Sequence, residues 1–191
     1  MPFENMDALA MSCASCMACP LGKTRTNLVF GTGNIHADLM FVGEAPGEQE
    51  DLQGIPFVGA AGKLLDRYLL AVGIPRESVY IANILKCRPP HNRDPLPEEE
   101  DACMGHLREQ VRLIDPKIIV CLGRISAMRL IRPDFRITRE HGVMVRKGKY
   151  LMTAVYHPSA LLRDPSKKED MLIDMEHIKA QLDALTETIP H

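Results

Sequence analysis

The chain has 191 residues, 46% of them hydrophobic and 25% charged, and its basic and acidic side chains nearly cancel to a formal net charge of −2. That length fits one domain, no apolar run reaches the roughly 18 residues of a membrane helix, and Met1 to Met11 lacks the basic-then-apolar order of a secretory leader. The expectation is a cytoplasmic, monomeric protein. In that compartment six cysteines point to metal or redox chemistry before structural disulfides. The balanced charge does not advertise a nucleic-acid binder, although a local basic surface can still hold phosphates.

In chain order, residues 1–15 read as a poorly constrained N-terminal helix or tail of a single domain over 1–191. Asp38 to Gly43 is a short apolar run ending in a Gly/Glu loop, the mark of a buried parallel strand. Gly62 to Val72 places Leu64, Leu65, Tyr68, Leu69 and Val72 on one helical face, with Gly73 as the stop. Ser78 to Leu85 is a second strand. Arg88 to Pro97 carries Pro89, Pro90, Pro95 and Pro97 and reads as a loop. A helix opens at Pro97, where Glu98, Glu99 and Glu100 suit its N-terminal dipole, and runs to about Ile114. Lys117 to Leu122 is a third strand, followed by a short helix and a hairpin-like stretch from Ile137 to Lys149. Leu151 to Tyr156 is a fourth strand. From about Lys168 an apolar stripe of Met171, Leu172, Met175, Ile178, Leu182 and Leu185 marks a closing amphipathic helix.

Strands alternating with helices imply an α/β fold, with a central four-stranded, mostly parallel sheet between helices. Ligands of such sheets sit beyond the carboxyl ends of the strands. Glu44, Asn83, Gly123 and His157 each fall at such an end, so segments distant in sequence converge on one rim.

The motifs carry alternative chemistries. Cys13, Cys16 and Cys19 form two overlapping C-x-x-C pairs, and with distant Cys87 and Cys103 they fit thiolate ligation of zinc or of an iron–sulfur cluster. Cys121 reads as a buried core thiol. The loop Gly43 to Asp51 exposes backbone N–H groups that can hold an anion or a polar edge, or it is a solvated acidic turn. Phe57, flanked by glycines, can stack on a planar ligand or fill the core. Asn83 in an apolar strand needs hydrogen-bond partners, which a base can supply or which neighbouring backbone supplies to a sheet-edge amide. His157-Pro158-Ser159-Ala160-Leu161-Leu162-Arg163 reads as a wedge for a DNA groove or as a helix start with core leucines.

Together these segments closely resemble the family-4, iron–sulfur uracil-DNA glycosylases, over nearly the whole chain from Cys16 onward. The matching runs are V-G-E-A-P-G-E-Q-E-D, G-I-P-F-V-G-A-A-G-K-L-L, V-Y-I-A-N-I-L-K-C-R-P-P-H-N-R and H-P-S-A-L-L-R. The resemblance implies a 4Fe–4S cluster near one edge of the fold, held by Cys16, Cys19, Cys87 and Cys103, with Cys13 an extra thiol. It implies a monofunctional enzyme that flips uracil out of DNA and hydrolyses its N-glycosidic bond. Phe57 would face the base, Asn83 would read its polar edge, and His157 would stabilise the departing anion. Glu44, Ala45 and Gly47 would hold base and water. Ala45 stands where the best-known uracil glycosylases carry an aspartate, so Glu50, then Glu44, is the candidate to activate water; Glu50 can instead exclude the methyl group of thymine. Leu161, Leu162 and Arg163 would contact DNA, and Lys167 and Lys168 can add phosphate contacts. The competing readings are a non-catalytic uracil-DNA-binding or cluster-sensing module, and a zinc-stabilised nucleotide hydrolase.

Overall fold

The structure is a computed structural model that describes residues 2–187. Of the domain expected over 1–191, residue 1 and residues 188–191 lie outside this range. Helix α1 spans Met6–Ala14, capped by the Asn5 side chain on the Ala8 N–H, and a short helix α2 spans Leu21–Thr24. Strand β1 is Thr32–Gly33 and β2 is Leu39–Gly43. Helices α3 (Glu48–Gln53) and α4 (Ala60–Ala71) precede β3 (Tyr80–Asn83). Then come α5 (Pro97–Ile114), β4 (Ile118–Leu122), α6 (Arg124–Leu130) and α7 (Ile137–Glu140). The chain continues through β5 (Val145–Lys147), β6 (Tyr150–Val155), α8 (Pro158–Arg163) and α9 (Lys168–Glu187).

Among the described residues the sheet has six strands, ordered β1-β3-β2-β4-β6-β5. This corrects the expectation of four. The four expected strands form the parallel centre, and two short antiparallel strands, β1 and β5, line the edges. With two and three residues, the edge strands are too short to show a period-2 pattern in the sequence. The β5–β6 hairpin accounts for the end of the stretch expected to be hairpin-like, and α7 takes its beginning.

Alternation along the strands splits the core in two. Met40 and Val42 face one layer with Leu107 and Ile114 of α5 and Ala127 of α6. Leu39 and Phe41 face the other, with Leu65 and Leu69 of α4, Leu161 of α8, and Met171, Met175 and Ile178 of α9. Phe41 is fully enclosed, and truncating a buried Phe to Ala costs roughly 3–5 kcal/mol. The N-terminal segment is anchored rather than loose. Leu9 and Cys13 are buried, α1 packs on α5, and the Phe3 backbone bonds Glu109 and Arg112 of that helix.

The parallel order reverses at β2, with β3 on one side and β4 on the other. That reversal opens a crevice at the carboxyl ends of the strands.

Candidate active site and cysteine centre

The crevice holds a cavity of about 210 Å³, lined by Glu44, Ala45, Gly47, Glu50, Phe57, Asn83, Arg93, His157 and Ser159 among others. Drug-sized ligands occupy roughly 300–1,000 Å³, so this space suits a single ring. The structure thus gathers all the residues expected to form the base site.

Asn83 ends β3, paired in register with Gly43. Its side chain is buried, and its Oδ1 has no hydrogen-bond partner among the described residues. A buried amide oxygen left open costs about 1–3 kcal/mol, so the site is complete only with a donor in the pocket. The floor depends on glycine. A Cβ on Gly43 would lie 2.4 Å from Asn83 Oδ1 and 2.7 Å from the Phe57 ring. Phe57 is buried and holds a left-handed backbone, φ 54°. Its carbonyl would lie 1.8 Å from any Cβ on Gly62, so only glycine there lets α4 support the turn.

Glu50 lies in the first turn of α3, and its Oε1 accepts the N–H groups of Val58 (3.1 Å) and Gly59 (3.0 Å). It clamps the Phe57 loop. Glu44 follows β2, and its side chain makes no comparable bond. Burial, reinforced by nearby Asp94 and opposed by Arg124, pushes its carboxyl up to about 7.

His157 caps α8. Its Nδ1 accepts the backbone N–H of Ser159 (3.1 Å) and sits 2.7 Å from the Ser159 hydroxyl. An amide N–H only donates, so the ring proton belongs on Nε2. Burial, with Arg163 adding repulsion against a weaker pull from Glu50, lowers the imidazole to about 4. At neutral pH the ring is uncharged and carries an N–H donor. The Phe57 and His157 ring centres are 5.7 Å apart.

Leu161 is fully buried in the core between α4 and α9. It anchors α8 and is no surface wedge, so it leaves the expected DNA-contact set. Leu162 is 49% exposed and Arg163 is exposed. A second cavity of about 350 Å³ adjoins the first through Glu44, Ala45, His157 and Ser159, and adds Arg124, Tyr156 and Arg163. The half-buried Lys167 ammonium lies 5.8 Å from the Tyr156 ring centre.

Sequence reasoning missed Ser159, Arg93 and Asn92. Arg93 forms a bidentate pair with buried Glu99, which also accepts the Leu96 N–H. Asn92 takes a left-handed backbone and accepts from Arg88. These bonds fix the Pro-rich loop as a wall of the pocket. Serine two residues after a strand-end histidine, across a proline, was the one legible hint.

Beside the pocket, Cys13, Cys16, Cys19, Cys87 and Cys103 line a small, almost wholly apolar cavity of about 20 Å³. Cys121 lies apart, buried in β4. Among the described residues, no three His, Cys, Asp or Glu side chains form a group tight enough for a single metal ion. Five sulfurs dominate the donors around the cavity, with the His106 imidazole as a nitrogen donor beside them, and a thiolate-rich set of this kind suits a cluster. Arg25 donates to Cys87 Sγ (3.2 Å) and to the Cys16 and Ala14 carbonyls, and the Lys86 N–H donates to Cys103 Sγ (3.3 Å). Such bonds lower charge on liganded sulfur. Buried Asp51 receives the Thr26 and Asn27 N–H groups, tying this segment to α3.

Fold and site define an α/β protein whose strand-end rim gathers Phe57, Asn83 and His157 around one small cavity. The pattern of the uracil DNA glycosylase superfamily matches residues 30–186. The type-4 uracil-DNA glycosylase of Archaeoglobus fulgidus is 48% identical over 183 residues, covering 92% of each chain. That of Thermotoga maritima is 42% identical over 181 residues, covering 93% of this chain and 94% of the other. A type-5 uracil-DNA glycosylase of Pyrobaculum aerophilum is 30% identical over 146 residues, covering 68% of this chain and 64% of that one. The chain belongs to the uracil-DNA glycosylase superfamily and, within it, to the type-4 enzymes.

Proposed function

We propose that this protein excises uracil from DNA by hydrolysing the N-glycosidic bond, leaving an abasic site. The observation that carries the reading is the pairing, across a ring-sized space, of an unpartnered Asn83 amide oxygen with a neutral, N–H-bearing His157. Uracil N3–H and O4 match the acceptor and donor ends of one amide, whereas cytosine offers no N3–H and an amino group in place of O4. Phe57 stacks on the extruded base.

Water adds to C1′ as the C1′–N1 bond breaks, and the bonding pair leaves with the base. Negative charge collects at N1 and O2, where the His157 Nε2–H donates. A fixed neutral donor meeting charge as it forms contributes more in the transition state than in the ground state. Glu44, with its carboxyl near the working pH, is better suited than Glu50 to orient and deprotonate the water. Glu50, whose Oε1 is taken up by Val58 and Gly59, positions Phe57. Arg124 and Arg163, beside the second cavity, suit the phosphates flanking the flipped nucleotide.

Cys16, Cys19, Cys87 and Cys103 would hold a 4Fe–4S cluster. When bound, it cross-links the N-terminal segment to the Pro-rich loop and α5. Cys13 is buried against the same cavity as a protonated neighbour, its thiol pushed up to about 12 by burial.

The test is base release from uracil-, thymine- and cytosine-containing oligonucleotides by wild type and Asn83→Ala. Release of uracil alone, lost in the variant, supports the reading. Tight uracil-DNA binding without release by iron-replete protein favours the non-catalytic module instead.

A further inference from the structure

Lys86 stands between the two centres. Its side chain is 1% exposed, among the largest fully buried ones in the molecule. Lysine stems ordinarily run through apolar surroundings so that the ammonium can reach water; this one does not. Nζ donates to the Asn83 carbonyl (2.8 Å) and to Gln110 Oε1 (2.6 Å). Gln110 is also fully buried, and its Nε2 donates to the Phe30 carbonyl (2.8 Å) and the Tyr80 hydroxyl (3.2 Å). The amide is therefore locked with its oxygen toward the lysine.

Both acceptors of the ammonium are neutral. A buried cation so placed is costly unless negative charge lies close by. The charge is at hand in the cysteine centre: Lys86 lines the same cavity as the five thiols, and its own N–H bonds Cys103 Sγ. The backbone of Lys86 thus touches a cysteine sulfur, while its ammonium lies within electrostatic reach of Cys103 and Cys13 and grips the Asn83 carbonyl.

We propose that Lys86 is the positioning residue through which the cysteine centre holds Asn83 in register with the base. The ammonium answers the thiolate charge on one side and fixes the Asn83 carbonyl on the other, so cluster retention and base affinity are coupled. The inference rests on Asn83 binding uracil and on the thiolates holding an iron–sulfur cluster.

The test uses iron-replete protein and two readouts besides turnover: the rate of iron loss to a chelator, followed by visible absorbance, and the Kd of free uracil. Lys86→Met fills the same space without charge or donor. The expected result is iron loss about tenfold faster and uracil binding about tenfold weaker, the scale of a lost hydrogen bond from a charged group. A stem that only fills space predicts both values within about twofold of wild type, and that result overturns the proposal, as does a change in one readout alone. If Lys86→Met accumulates too little holoprotein, Lys86→Arg carries the test. It keeps the charge, so iron loss stays within about twofold, while its larger head displaces the Asn83 carbonyl and weakens uracil binding about tenfold; unchanged binding overturns the proposal. Wild type that neither binds uracil nor releases it from DNA overturns the reading of the pocket and this inference with it. Wild type that does both, beside an indistinguishable Lys86→Met, overturns the role of Lys86 alone.

Discussion

The base pocket and the cysteine centre lie side by side but are finished in opposite ways. In the pocket the protein leaves hydrogen-bonding capacity open: Asn83 Oδ1 has no partner, and the His157 ring is fixed through Nδ1 so that its other nitrogen is free to donate. Around the cysteines the polar groups are largely consumed within the protein, Arg25 on carbonyls and sulfur and Lys86 on two carbonyls. Open valence is a cost to folding and a resource for recognition; closed valence is the reverse. One region is built for a visitor and the other for permanence.

The largest expected break in this contrast is His157→Ala. Removing this neutral donor at the developing anion should lower single-turnover uracil release by roughly 10²–10³-fold, while loss of the α8 cap lowers stability by only about 1 kcal/mol. A variant that releases uracil at the wild-type rate would show that the pocket works without its donor.

Next comes Glu44→Gln. The wild-type carboxyl, raised to about 7, is ionised only above that value, so water activation should weaken as pH falls below about 7. His157 stays neutral down to about 4 and adds no limb in that range. Single-turnover rates of wild type across pH 5–9 should therefore fall about tenfold per unit on the acid side, and the Gln variant should be slow and flat. An unchanged acid limb in the variant removes Glu44 as the base.

The third expectation is for the closed side. Cys103→Ser should release iron and loosen the tie between the N-terminal segment and α5. Proteolysis within residues 1–30 should then accelerate, while a slower effect is expected at α9, which lies on the other face of the sheet. The fourth is Gly62→Ala. The added methyl meets the Phe57 carbonyl, and overpacking of this kind costs roughly 1–3 kcal/mol; denaturant melting with uracil binding measured in parallel should show both fall.

The smallest effect concerns acid stability. His157 has a folded-state value of about 4 against 6.5 unfolded, so between those values the unfolded chain binds more protons. Stability conferred by the neutral ring is thus present above about 6.5 and lost as pH falls toward 4. Glu44 acts oppositely between 4.5 and about 7, where the folded state keeps the extra proton. Melting of His157→Gln and Glu44→Gln across this window should show slopes differing from wild type in opposite directions.

The parallel centre of the sheet was legible because each strand is an apolar run bounded by punctuation, and the site because its polar residues sit at strand ends. What was hidden had no periodic trace. Helix α3 lies in an acidic run with one buried residue, Asp51, so no apolar stripe announces it. Leu161 and Leu162 are adjacent and alike, and only packing decides that the first is core and the second exposed. The sequence puts Glu50 ahead of Glu44 as the water-activating group; only the folded chain shows that the N–H groups of Val58 and Gly59 occupy Glu50. No pattern rule places a lysine in a core, so Lys86 was invisible.

The unpartnered amide of Asn83 has a consequence for how this scaffold changes over time. Because no hydrogen bond among the described residues runs through that oxygen, a change confined to it breaks no bond of the surrounding architecture. Recognition and folding are thus separable at this one atom, although the close packing of Gly43 and Phe57 around it limits the size of any replacement.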